Sequence, residues 1–72
     1  MHIDGILVHP TITVARVCEA VERHNTTLDN PGFCLSCGFE QDGCEGDMEG
    51  GECESCGEAS VYGAEQILIH VA

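Results

Sequence analysis

Apolar residues near the start of the chain recur with two different periods. Ile3, Leu7 and Val8, with Gly5 among them, predict one short strand. His9-Pro10 ends it, because the proline ring disfavours a helical conformation at the residue before it. Beyond that point the apolar positions are Val14, Val17, Cys18 and Val21, spaced by three, one and three. This is one face of a 3.6-residue repeat, and it predicts an α-helix from Ile12 to His24. Thr11 or Thr13 stands where a helix cap is needed. Arg16, Glu19, Glu22 and Arg23 take the other sides, with Glu19 and Arg23 four apart in the order that favours an ion pair.

After the helix the pattern changes. Asp29-Asn30-Pro31-Gly32 is turn chemistry, since proline fixes φ and glycine permits positive φ. A connector is therefore expected from Thr26 to Gly32. Further on, Val61-Tyr62-Gly63 and Gln66 to Val71 predict short strands, although Ala64 to Leu68 could instead begin as a helical turn. The chain reads as a single domain over residues 1–72, with a strand and helix segment at 2–25, the connector at 26–32 and a cysteine-bearing segment at 33–72.

Length makes the cysteines matter. A chain of 72 residues builds a core that rarely supplies more than about 3–5 kcal/mol without a metal or disulfides. Aromatics are 4% of the chain and there is no tryptophan, so large rings cannot carry the stability. There are 6 cysteines. Two matching pieces, Cys34-Leu35-Ser36-Cys37-Gly38 and Cys53-Glu54-Ser55-Cys56-Gly57, hold four of them in a C-x2-C-x15-C-x2-C spacing. Two cysteines three positions apart on a tight turn direct both sulfurs to one point. Glycine after the second lets the turn enter positive φ, so that backbone N–H groups can face the thiolates. Cys34, Cys37, Cys53 and Cys56 are thus the expected ligands of one metal ion. Zinc is the first choice, because it accepts four thiolates in a tetrahedron without redox chemistry, and iron is the alternative. Four protein thiolates leave no open position, so the ion is expected to be structural. Disulfides compete for the same cysteines, as does a thioredoxin-like redox pair. The repeated turn and the lack of a signal peptide count against the first, and the lack of a βαβ pattern against the second.

Cys18 falls on the apolar helix face and is expected as a small buried hydrophobe. Cys44 lies in a Gly-rich acidic stretch and is expected as a free surface thiol. His2, His9, His24 and His70 form no ligand spacing and are expected at the surface or at edges. No Ser, His and acid arrangement reads as a nucleophilic triad, so the protein is expected not to be an enzyme.

Charge narrows the partners. Thirteen acidic residues face 2 arginines and no lysine, for a formal net charge of −11. Such a chain lacks the cations with which nucleic-acid binders neutralise phosphates, or with which proteins dock on anionic lipid. Eight acids crowd into residues 40–58: Glu40, Asp42, Glu45, Asp47, Glu49, Glu52, Glu54 and Glu58. Four thiolates around a divalent ion would add two more negative charges. The acids are expected either to solvate a loop or to form a face for a basic partner, with which they would associate quickly. The start Met1-His2-Ile3-Asp4-Gly5 has no cationic segment or long apolar run. A complete, cytoplasmic chain is therefore the expectation.

The two glycine-ended cysteine turns resemble the zinc-ribbon (rubredoxin-like) class over residues 33–71. The resemblance implies a small, metal-stabilised α+β fold. Its N-terminal α-helix would pack Val14, Val17 and Val21 on a four-cysteine zinc ribbon with short antiparallel β-strands. More narrowly, Thr26 to Cys34, the two turns, Val61-Tyr62-Gly63-Ala64-Glu65 and Glu19-Ala20-Val21-Glu22-Arg23 look like short zinc-ribbon proteins of bacteriophages, prophages and bacteria. That likeness implies a phage origin and a site in the host cytoplasm. Together with the charge, it leads to an expected role as a nucleic-acid mimic that inhibits a host nucleic-acid-binding protein. Such a target could be a transcription factor or a defence protein, as for an anti-CRISPR protein. Residues 42–52, with the added Cys44, depart from that family. Cys34-Leu35-Ser36-Cys37-Gly38-Phe39 is also similar to the first metal-binding turn of rubredoxin and of the rubredoxin domain of rubrerythrin, which would imply an iron electron carrier. A nucleic-acid-associated zinc ribbon is the remaining alternative.

Overall fold

The computed structural model describes residues 2–26 and 30–71. Met1, Ala72 and the middle of the expected connector (Thr27, Leu28 and Asp29) lie outside the described residues. The chain runs β1 (His2–Ile3), β2 (Ile6–Leu7), α1 (Val14–Thr26), β3 (Gly32–Cys34), β4 (Glu40–Gln41), β5 (Val61–Gly63) and α2 (Ala64–Val71). This is a small α+β fold with antiparallel strands.

The single N-terminal strand becomes a hairpin. His2 pairs with Leu7 and Ile3 with Ile6, around a two-residue turn in which Asp4 (φ 52°) and Gly5 (φ 82°) both have positive φ. A two-residue hairpin loop needs positive φ at both centres to match the twist of its strands, and Asp-Gly supplies it. The hairpin forms its own two-stranded sheet and does not join the other, ordered β4-β3-β5.

Helix α1 starts two residues later than the pattern predicted and ends two later. Its cap is Thr13, whose Oγ1 accepts from the Arg16 N–H at 3.1 Å. Ile12, ahead of the helix, is buried, whereas Val14 is 52% exposed. Val14 is therefore not part of the packed face. That face is Val17 and Ala20, both fully buried, with Val21 partly buried beside them. Cys18 is only half-buried at its edge.

The three-stranded sheet separates two cores by the alternation of its side chains. Phe33 pairs with Tyr62, and Cys34 with Val61. Phe33 and Tyr62 enter a cluster with Ile3, Val8, Ile12, Val17, Ala20, Leu35, Ala64 and Ile67. Cys34 and Val61 enter a second cluster with Cys44 and Cys53. Gly32 sits in the central strand, paired with both Gln41 and Gly63, and so is not part of a connector.

The strand expected at Gln66 to Val71 is instead helix α2. Ala64 and Ile67 are buried on its inner side, with Leu68 and Val71 partly so. Their spacing of three, one and three is the helical period, and Ile69, which a strand would have aligned with Ile67, is 70% exposed. The residue immediately before α2 is Gly63, which offers no capping side chain. Its first-turn donors are met by backbone: Ala64 N–H donates to the Pro31 carbonyl at 3.1 Å and Gln66 N–H to the Gly46 carbonyl at 3.0 Å. No helix of the described residues is long and apolar enough to cross a membrane.

Candidate metal centre

The two cysteine turns have the same backbone wiring. In the first, Cys34 N–H donates to the Phe39 carbonyl at 2.9 Å and Gly38 N–H to the Cys34 carbonyl at 2.8 Å. In the second, Cys53 N–H donates to the Glu58 carbonyl at 2.9 Å and Gly57 N–H to the Cys53 carbonyl at 3.0 Å. Gly38 and Gly57 sit at φ 80° and 79°, as the expected turn requires. Val61 joins the two arms. It pairs with Cys34 on one side and, by two 2.9 Å hydrogen bonds, with Gly51 on the other. Leu35 N–H adds a bond to the Ser60 carbonyl at 2.9 Å, and the Ser36 hydroxyl donates to that of Ser60 at 3.0 Å.

This wiring brings the sulfurs of Cys34, Cys37, Cys53 and Cys56 within 4.8 Å of one another. Cys34 to Cys56 and Cys37 to Cys53, the pairs that cross from one turn to the other, are each 3.7 Å apart. A tetrahedral ion with bonds of about 2.3 Å to sulfur needs edges of about 3.8 Å. The cluster therefore fits a four-thiolate ion. No disulfide links any of the six cysteines.

Burial across the site is uneven. Cys34 and Cys53 are buried, Cys37 is half-buried and Cys56 is exposed. With no ion bound, burial pushes the Cys34 thiol up to about 12, against hydrogen bonds from the Cys37 and Ser36 backbone. Cys53 is drawn down to about 6, chiefly by the Cys56 backbone N–H. The Ser55 and Cys56 N–H groups stand 3.3 and 3.4 Å from its sulfur. Backbone dipoles thus stabilise the Cys53 thiolate, whereas Cys34 needs the ion's own charge to ionise.

Cys44 is not a surface thiol. It is 2% exposed and packs with Cys34, Cys53 and Val61. Its N–H donates to the Asn30 carbonyl at 2.9 Å and its thiol faces the Gln41 carbonyl at 3.6 Å. The bare Cα of Gly32 admits it: a Cβ there would stand 2.6 Å from the Cys44 sulfur. Burial raises its pKa, so it behaves as a small hydrophobe.

Among the eight clustered acids, Asp42, Glu45, Asp47, Glu49, Glu52, Glu54 and Glu58 are exposed. Glu40 is half-buried and accepts from Arg23 at 2.9 Å. Arg16 lies 4.8 Å over the Phe33 ring and donates to the Thr11 carbonyl. Both arginines thus hold groups of their own chain. Among the histidines, His24 pairs with Glu65 at 2.9 Å. His70 comes together with Asp4 and Glu49, a grouping that no spacing in the sequence announces. Its three members come from the hairpin turn, the loop between the cysteine turns and the last turn of α2. Compared with protein-family models, characterised proteins and solved structures, the chain matches none.

Proposed function

We propose that the protein is a non-enzymatic zinc-ribbon module whose ion is structural and whose acidic surface binds a basic protein. The observation that carries this reading is the closed cluster of four cysteine sulfurs. With every coordination position taken by protein, the ion is left without a site for water or substrate. The work then falls to the surface, where seven acids between residues 42 and 58 are exposed and both arginines are engaged internally. A dense negative surface of this kind favours grooves built for nucleic acid. The partner in this proposal is a nucleic-acid-binding factor in a bacterial cytoplasm, inhibited by a phage-encoded mimic of its ligand.

The test is capture of partners from a bacterial lysate under rising salt, with excess DNA as competitor. A partner should be released by salt and by DNA. Replacing Glu45, Asp47, Glu52 and Glu54 by Gln or Asn should weaken its retention at low salt. A partner held equally by this variant, or unaffected by DNA, removes the mimic reading.

One observation favours a second reading. Cys56 is exposed and residues 54–59 around it are exposed too, which would bring an iron in this cluster close to solvent. An electron carrier of the rubredoxin kind would purify red, with iron–thiolate absorption, whereas the zinc form is colourless.

A further inference from the structure

On the side of the fold carrying the hairpin and α2, one carboxylate oxygen each of Asp4 and Glu49 and a ring nitrogen of His70 lie within 4.8 Å of one another. The three side chains come from segments far apart in the chain, and all are exposed. Two of them are oriented by a buried residue. Tyr62, 4% exposed, donates its hydroxyl to Asp4 Oδ2 at 2.8 Å and sets its ring edgewise to His70 at 6.4 Å. His70 Nε2 stands 4.0 Å from the same Asp4 oxygen. Ligating carboxylates are commonly fixed by such a hydrogen bond from behind, which holds the remaining lone pairs outward.

We propose that Asp4, Glu49 and His70 form a second metal site, separate from the cysteines, for a divalent transition ion of the zinc, cobalt or manganese class. Two carboxylates and one imidazole are donors that such ions take; zinc suits both donor sets, whereas manganese suits this one and not four thiolates. With bonds of about 2.0–2.2 Å to oxygen and nitrogen, ligand atoms sit about 3.0–3.6 Å apart. From separations of up to 4.8 Å the exposed side chains need to close by about 1–2 Å, within the reach of rotamer adjustment, and water completes the coordination. The ion would tie the hairpin turn, the loop between the cysteine turns and the end of α2 to each other. It would also neutralise two neighbouring carboxylates in a strongly acidic chain.

The experiment uses the full chain with its cysteine site already filled, titrated with Mn²⁺ and followed by NMR. Paramagnetic broadening should strike the His70 and Tyr62 rings first, before the rings of His2, His9 and His24. His70→Ala and Glu49→Gln should each weaken binding of the second equivalent of Zn²⁺ at least tenfold. Neither should displace the cysteine-bound ion. Broadening spread evenly over Glu45, Asp47, Glu52 and Glu54 overturns the site, as does affinity unchanged in either variant.

Discussion

The sulfurs of Cys34 and Cys56 lie 3.7 Å apart although 22 positions separate the residues in the chain. An ion shared by the four sulfurs would make that approach favourable with all of them ionised, whereas bare thiolates at this distance repel. The first turn is carried by β3 and the second is held to it through Val61, so an ion held by the four sulfurs would close a loop that nothing covalent closes. Removing it should open the domain. Treatment with a strong chelator should abolish the cooperative thermal transition seen by circular dichroism, and readdition of Zn²⁺ should restore it. Structural zinc contributes about 10 kcal/mol or more of folding free energy in small domains, against about 3–5 kcal/mol from a core of this length. Replacing Cys34 by Ser should act in the same direction as chelation.

The metal cluster was legible because its chemistry is local. Each Cys-x-x-Cys-Gly turn is written in five consecutive residues, and the structure places all four sulfurs together. The hairpin is half-legible: Ile3, Leu7 and Val8 share the pattern of a single strand, while Asp4-Gly5 between them is a two-residue turn signal. Helix α2 was hidden for a different reason. Its β-branched residues and missing side-chain cap favour a strand locally, and its first-turn donors find carbonyls at Pro31 and Gly46 that only the tertiary fold brings near. The burial of Cys44 is not legible, because the glycines and acids around it suggest solvent while its place depends on Gly32, twelve residues back. The grouping of Asp4, Glu49 and His70 could not be read at all, since it exists only once the hairpin, the loop and α2 have docked.

Two valines three positions apart in α1 should respond very differently to truncation. Val17 is 1% exposed and packs among Ile12, Ala20 and Phe33 in the core, whereas Val14 faces solvent. Val17→Ala should cost about 2 kcal/mol, the transfer of a buried branched side chain plus the void it leaves. Val14→Ala should lie within about 0.5 kcal/mol of the parent. Denaturant unfolding of the metal-loaded protein checks both, and equal losses would mean that α1 presents a different face to the core.

Two glycines near the second cysteine turn, Gly57 that closes it and Gly63 at the end of β5, are constrained by unlike causes. At Gly63 a Cβ would run into the Glu45 carbonyl and stand 2.6 Å from the Gly46 carbonyl. Both are backbone atoms of the loop whose Gly46 carbonyl caps α2. Gly63→Ala should therefore cost about 3 kcal/mol or more, because the loop itself must move. Gly57 has open space around it but holds φ at 79°, so Gly57→Ala should cost only the left-handed penalty of about 1–2 kcal/mol. Thermal melts of the two variants should rank them in that order.

Tyr62 is the single tyrosine of a chain without tryptophan, so its ionisation can be followed by phenolate absorbance without interference from other rings. The hydrogen bond to the Asp4 carboxylate, then burial, push the phenol from 10.0 up to about 12. The bond holds only while the hydroxyl keeps its proton, and a phenolate beside Asp4 and Glu49 would meet two like charges. A folded-state pKa above the unfolded value means that this contribution to stability is fully present below pH 10. It is lost as the pH rises from there through about 12. With the cysteine site filled and no further ion added, the phenolate signal should appear near pH 12 in the parent. Asp4→Asn removes the charge, while asparagine tolerates the positive φ of that turn as readily as aspartate. In this variant the transition should shift down towards 10. An unchanged transition would mean that burial alone holds the phenol neutral, and the hairpin turn would then lose its electrostatic tie to β5.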